Sequence, residues 1–234
     1  MENALLKENL ECIRENIKTS AAKSGRSPDD ITLVAVTKTV DVSLVQDIVE
    51  LGVSDIGENK VQELLKKDEL LKTKPNWHLI GHLQTNKVKQ IIEHVSLIQS
   101  VDSQRLAEEI NKRAAAIGKI ADVLIEINIA GEDTKFGINP EDTASFIEHL
   151  CSLTNICLRG LMCMAPLVNN PDDNMFHFDK MFGLYIDIKE KYKHNANITY
   201  LSMGTTLDYE AAIRQGSNMV RIGTALFGER AYAV

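Results

Sequence analysis

The sequence predicts an α/β fold in which eight parallel β-strands alternate with helices in one barrel, preceded by one extra helix. Three observations point there. Apolar, β-branched runs of strand length alternate with amphipathic helical patterns eight times. No long linker or shift in composition divides the 234 residues, a length at which α/β barrels commonly stand as single domains. The first apolar run, ITLVAVTK, ends in a lysine, Lys38, where the strand leaves the sheet.

Residues 3–24 read as a helix: Leu6, Leu10, Ile13 and Ile17 recur at helical spacing, and Gly25 and Pro28 end it. The first strand, 31–38, is almost continuously apolar, as in a parallel sheet buried on both faces, and Val36 and Lys38 share one face by alternation. Asp41 is placed to cap the next helix, which carries Val42, Val45, Ile48 and Val49 on one face and closes at Gly52. SDIGEN, 54–59, is the second strand, and its helix shows Val61, Leu64 and Leu65 on one side. WHLIGHL, 77–83, is the third, followed by a helix over 86–95 with Val88, Ile91, Ile92 and Val95 aligned. LIQSV, 97–101, is the fourth, with a helix carrying Leu106, Ile110, Ala114 and Ile117 up to Gly118. DVLIEINIA, 122–130, is the longest and most apolar strand. Asn139 and Pro140 then open a helix whose core face is Phe146, Ile147 and Leu150. CLRGLMCMA, 157–165, is the sixth strand, and the polar loop NNPDDN leads to a helix over 175–192. ITYLSM, 198–203, and MVRIG, 219–223, are the last two, with a helix over 208–214 between them and a short helical tail after. This is the order of a (β/α)8 TIM barrel. The last helix is too short to cover its strand, and the extra N-terminal helix is the candidate to fill the gap.

Composition narrows the function. Apolar content of 44% and charged content of 25% are ordinary for a globular protein, and a net charge of −7 argues against nucleic acid or anionic membrane as a partner. No apolar run is long enough to span a bilayer, and the charged N-terminus MENALLKENLECIREN lacks the apolar centre of a signal peptide. Cys12, Cys151, Cys157 and Cys163 form no CxxC pair, so reduced thiols in a cytoplasmic protein are the simplest account.

The chemistry is expected at the carboxyl ends of the strands. Desolvation there disfavours a charged amine, and a neutral amine attacks an aldehyde to form an imine, the linkage that holds pyridoxal phosphate. The plain alternative is that Lys38 points its ammonium into water. Barrel enzymes often hold phosphate on the loops after strands seven and eight. LSMGTTLD offers the hydroxyls of Ser202, Thr205 and Thr206, with Gly204 opening the backbone to an anion; RIGTALFG places Gly223 and Thr224 where a strand becomes a helix. Each loop by itself also reads as a turn of small residues. Arg221, inside the last strand, either pairs with an internal carboxylate, Glu58 or Glu126, or faces a ligand acceptor. A guanidinium against a pyridine nitrogen keeps that nitrogen unprotonated and makes the ring a poorer electron sink. Asn59 either contacts a ring substituent or caps a helix. His78 is either packed or lines the cofactor, and its spacing from His82 across Gly81 does not suit a helical zinc pair. Gln84, Asn86 and Lys87 either bind an anion or cap a helix, and Met162, Cys163 and Met164 read as barrel packing.

Seven segments in order, AVTK (35–38), GENKVQE (57–63), WHLIGHLQTNKVK (77–89), INIAGEDTKFG (127–137), GLMCMAP (160–166), SMGTTLDYEAAI (202–213) and RIGTALFG (221–228), resemble the pyridoxal phosphate homeostasis proteins, the YggS/PROSC family. The resemblance covers almost the whole chain. It implies a barrel like the N-terminal domain of alanine racemase, with pyridoxal 5'-phosphate as an imine on Lys38. It also implies phosphate contacts from the SMG loop and from Gly223 and Thr224, and Arg221 near the pyridine nitrogen. It implies a protein that binds or delivers the cofactor without a firm catalytic reaction, with apo enzymes dependent on pyridoxal phosphate as candidate recipients. The chain departs from the family's usual pattern at Thr205 and Thr206 after SMG, at Thr37 before the lysine, and at Thr39, Val40 and Asp41 after it.

Three functions compete. A cofactor carrier, working as a monomer, fits the resemblance. A racemase of this fold adds a β-rich domain, whereas this sequence runs out after the eighth unit and shows no second base beyond Lys38. A Schiff-base aldolase, with a sugar phosphate in place of the cofactor, also fits barrel, lysine and loops.

Overall fold

A computed structural model describes residues 2–132, 134–193 and 196–228. Eight parallel strands close in sequence order: β1 (Thr32–Val36), β2 (Asp55–Glu58), β3 (Asn76–Leu79), β4 (Val95–Val101), β5 (Ala121–Ile127), β6 (Ile156–Cys163), β7 (Tyr200–Thr205) and β8 (Met219–Ile222). The last pairs back onto the first, with Val34 beside Arg221. The helices are α1 (Glu2–Lys23), α2 (Val42–Glu50), α3 (Val61–Leu70), α4 (Val88–Ile91), α5 (Gln104–Ala116), α6 (Thr143–Cys151), α7 (Met175–Lys191), α8 (Tyr209–Arg214) and α9 (Thr224–Phe227).

Helix α1 does what its position suggested. Leu6, Leu10, Ile13 and Ile17 are buried, and the helix packs on α8 and the four-residue α9. Asn9 donates to the Leu226 carbonyl and Asn16 to the Tyr209 hydroxyl, both at 3.0 Å, so the short end of the barrel is closed by the chain's beginning. Asp41 caps α2 by accepting from the Ser43 amide at 2.9 Å.

Several boundaries differ from the sequence expectation. The helix expected over 86–95 is only a 3-10 turn and α4, because Val95 pairs with Trp77 in the parallel ladder and so begins β4. Strand β3 ends at Leu79, and Gly81 then passes so close to the second strand that a Cβ would lie 2.5 Å from the Asn59 carbonyl oxygen. Ile117, expected on the core face of α5, is its exposed C-cap. The tail beyond Gly228 lies outside the described residues.

Side-chain alternation divides the apolar residues into two sets. The larger lies between sheet and helices. The smaller, Val34, Leu97, Leu124, Met162 and Met219, fills the barrel interior. Cys163 belongs to the outer set, and Met164 is half exposed at the carboxyl end. Among the described residues all four cysteines are unpaired, no helix is long and apolar enough to cross a membrane, and no cluster suits a metal ion.

Candidate functional site

The carboxyl ends of the strands open into a cavity of about 630 Å³. Lys38 lines it from just beyond β1, half buried, and among the described residues its amine has no hydrogen-bond or ion-pair partner. Thr39 follows with φ 61°, the single non-glycine residue of positive φ among those described, and its amide donates to Glu63 at 3.0 Å. This sparsely populated conformation costs on the order of 1 kcal/mol and turns the chain out of the barrel immediately after the lysine.

Arg221 reaches the same cavity from β8. It is 3% exposed, yet among the described residues no carboxylate lies within ion-pair distance of it. Its guanidinium donates to Ser202 Oγ, to the Cys163 carbonyl at 2.8 Å and to Met164 Sδ at 3.0 Å, all neutral acceptors. Glu58, one expected partner, lies on the outer face of the barrel and pairs with Lys67. Glu126, the other, lines the cavity without contacting Arg221. Burial, with the nearby charge of Asp102, pushes the Glu126 carboxyl up to about 7 against the opposing pull of Arg221. Burial likewise pushes the Cys163 thiol up to about 12, so it offers no counter-charge. Among the described residues the inward cation therefore has no direct counter-charge, only the more distant fields of Glu126 and Asp208, a setting that favours an anionic ligand.

Thr206, Gly223 and Thr224 line one wall. Thr206 Oγ1 accepts from the Gly223 amide at 3.2 Å and the Ala225 amide at 3.3 Å. With both lone pairs so engaged, its proton is left to donate to a ligand. Thr205 is held differently: its amide and hydroxyl both donate to Asp208, at 2.7 and 3.1 Å. Asn59 also lines the cavity, and the N-cap of α3 is Lys60, so capping is not its role.

Three expected site residues lie elsewhere. Ser202 and His78 are buried in the barrel interior and are absent from the cavity wall. Ser202 donates to Gln99 at 2.7 Å, and Gln99 donates to His78 at 2.8 Å. Gly204, φ 94°, allows α8 to pack against β7: a Cβ there would stand 2.6 Å from that of Ala212. Of the loop after β3, Gln84, Asn86 and Lys87 do not line the cavity, whereas Ile80, Gly81 and His82 do.

Part of the wall that the sequence does not reveal is made by His82 and Phe136, with Asp102 holding His82 from outside the lining. His82 Nδ1 bonds to Asp102 at 2.9 Å while its ring stacks on Phe136 with centroids 3.9 Å apart. These three come from separate loops, and no local spacing joins them. Phe136, Met164, Leu167 and Leu207 give the cavity an exposed apolar rim.

Comparison with known proteins agrees with this architecture. The alanine racemase N-terminal domain family matches residues 9–231. The pyridoxal phosphate homeostasis protein of Aquifex aeolicus is 42% identical over 226 residues, covering 96% of this chain and 98% of that one. PipY of Synechococcus elongatus, solved with PLP bound, superposes with a TM-score of 0.83 at 28% identity over 95% of this chain and all of that one. Alanine racemase of Clostridium difficile shares the fold, with a TM-score of 0.75 at 20% identity over 97% of this chain and 60% of its own. The chain belongs to the alanine racemase N-terminal domain family and, within it, to the pyridoxal phosphate homeostasis proteins.

Proposed function

We propose that this protein binds pyridoxal 5'-phosphate, anchors it as an imine on Lys38, and holds it for apo enzymes that need it rather than turning over a substrate. The carrying observation is the pairing, in one cavity, of a half-buried amine and a buried guanidinium, neither of which has a carboxylate within ion-pair distance among the described residues. An anionic ligand that brings an aldehyde to the amine and a ring acceptor to the guanidinium answers both groups. The homeostasis relatives and PLP-bound PipY support the same choice.

The residues present fit that group. Thr206, with Gly223 and Thr224 beside it, offers a hydroxyl proton and a helix start to a phosphate. Arg221 is the donor for a ring nitrogen, and Asn59 is a candidate contact for a ring substituent. Ser202, His78 and Gly204 act from behind, by holding Arg221 and the loop after β7. The bound cofactor supplies an aldehyde for the lysine and a pyridine ring able to accept electrons. Arg221 keeps its protons at neutral pH, so it denies the ring nitrogen a positive charge and favours storage over carbanion chemistry. The working unit is taken to be a cytoplasmic monomer, which light scattering of the purified protein checks.

The test is the visible spectrum with added pyridoxal phosphate. The wild type is expected to show an imine band that borohydride traps on Lys38 and that Lys38→Ala lacks entirely. A protein that stays colourless in excess cofactor would overturn the reading and bring forward a Schiff-base aldolase. Racemisation of alanine or serine that is lost in Lys38→Ala would overturn the storage role and leave the imine standing.

A further inference from the structure

Arg221 is the end of a hydrogen-bonded chain across the barrel interior. It donates to Ser202 Oγ; Ser202 donates to Gln99 Oε1 at 2.7 Å; Gln99 Nε2 donates to His78 Nδ1 at 2.8 Å; and His78 Nε2 bonds to Asp55 Oδ1 at 3.1 Å. The direction of every link follows from its ends. A guanidinium only donates and an ionised carboxylate only accepts, so the imidazole carries its proton on Nε2 and presents a bare Nδ1 to Gln99. Burial alone would push Asp55 up, but hydrogen bonds led by that of His78 outweigh it and hold its carboxyl below the ordinary value, ionised as the chain requires. Gln99, Ser202, His78 and Arg221 are each less than 5% exposed.

Gln99 is the link that cannot be exchanged. It must accept from a hydroxyl on one side and donate to a bare imidazole nitrogen on the other. Only a carboxamide does both at that reach; a carboxylate cannot donate and an apolar chain does neither. We infer that Gln99 is a positioning residue that fixes Ser202 as an acceptor and so aims the Arg221 guanidinium at the ring nitrogen of bound pyridoxal phosphate. This rests on the binding mode proposed above. A cation held at the ring opposes protonation of the imine nitrogen at its other end. If Arg221 is free to swing away, the imine holds its proton to higher pH.

The experiment is a spectroscopic pH titration of the holo protein for the wild type, Gln99→Met, Ser202→Ala and the double variant. Glu126, Asp208 and Cys163, the other titratable groups acting on Arg221, and Asp102, which acts on Glu126, are the same in all four. Each single variant is expected to raise the imine midpoint by about one pH unit, a tenfold change. The double variant is expected to add nothing, because both changes cut one chain. Midpoints at the wild-type value, or shifts that add, would overturn the inference. If Gln99→Met does not fold, Ser202→Ala alone reads the same link, and an unmoved midpoint there overturns it too. Failure of the binding mode looks different: the wild type itself then gives no imine band to titrate.

Discussion

Lys67 and Arg221 are both buried cations, and the protein treats them in opposite ways. Lys67, on α3, lies between helix and sheet, where it pairs with the fully buried Glu58 and donates to the Thr37 carbonyl at 2.5 Å; Thr37 Oγ1 completes the set with a 2.7 Å bond to Glu58. Arg221, inside the barrel, donates to neutral acceptors and, among the described residues, to no carboxylate. A matched pair of buried charges is silent toward ligands, whereas an unmatched charge beside a cavity selects what enters. Under the proposed function the difference gives Lys67 to architecture and Arg221 to binding, although both are basic residues in regular elements. The comparison is tested most strongly at Glu58. Glu58→Ala orphans the Lys67 ammonium and is expected to cost about 3–5 kcal/mol of stability, read from the urea midpoint. A loss under about 1 kcal/mol would mean that the pair does not hold the second strand to α3 as described.

This contrast was partly written in the sequence. Lys38 at the end of a core strand, the helical spacing of Leu6, Leu10, Ile13 and Ile17, and the Asp41 cap are local patterns, and each appears in the fold. The partner of Arg221 is harder to read, because in the sequence Glu58 stands as a candidate internal carboxylate. Alternation already argued against it: Glu58 and Asn59 are adjacent in an extended segment, so they face opposite sides, and Asn59 is the one that lines the cavity. Depth along the strand was the second missing quantity. Ser202 and His78 lie within β7 and β3 rather than beyond their ends, which leaves them below the cavity floor. Gln99 was hidden in an apolar run, and the His82–Asp102 pair joins loops 20 residues apart.

Glu126 sharpens the comparison because it is the carboxylate with the best claim to be the missing partner. A true partner would be held below its ordinary value; Glu126 is raised from 4.5 to about 7, by burial first and Asp102 second. Its folded form therefore prefers the proton. The stability it contributes is complete below pH 4.5 and drains away as the pH climbs to about 7, a loss of up to about 3 kcal/mol. Glu126→Gln removes that dependence. Urea midpoints of the two proteins are expected to converge near pH 4.5 and to separate toward pH 8, with the variant the more stable. Parallel curves would mean that folding leaves Glu126 unshifted, and a wild type that gains on the variant as the pH rises would give Arg221 a counter-charge after all.

The smallest expected effect on stability is the most telling. If Arg221 has no charge partner, its removal orphans no charge. Arg221→Met keeps an apolar stem of similar length, gives up bonds to Ser202 and the Cys163 carbonyl, and spares the fold a buried cation. These contributions oppose one another, so without cofactor the stability read from urea unfolding is expected to change by under about 1 kcal/mol, well short of Glu58→Ala. Affinity is expected to behave otherwise. Losing the buried guanidinium of the cavity is expected to weaken binding of pyridoxal phosphate about tenfold or more, measured by spectroscopic titration at fixed pH and salt. A variant that loses as much stability as Glu58→Ala while binding cofactor normally would reverse the assignment, making Arg221 the structural cation. A variant that keeps its stability and loses affinity separates the two buried charges by what each one faces, since both are enclosed alike.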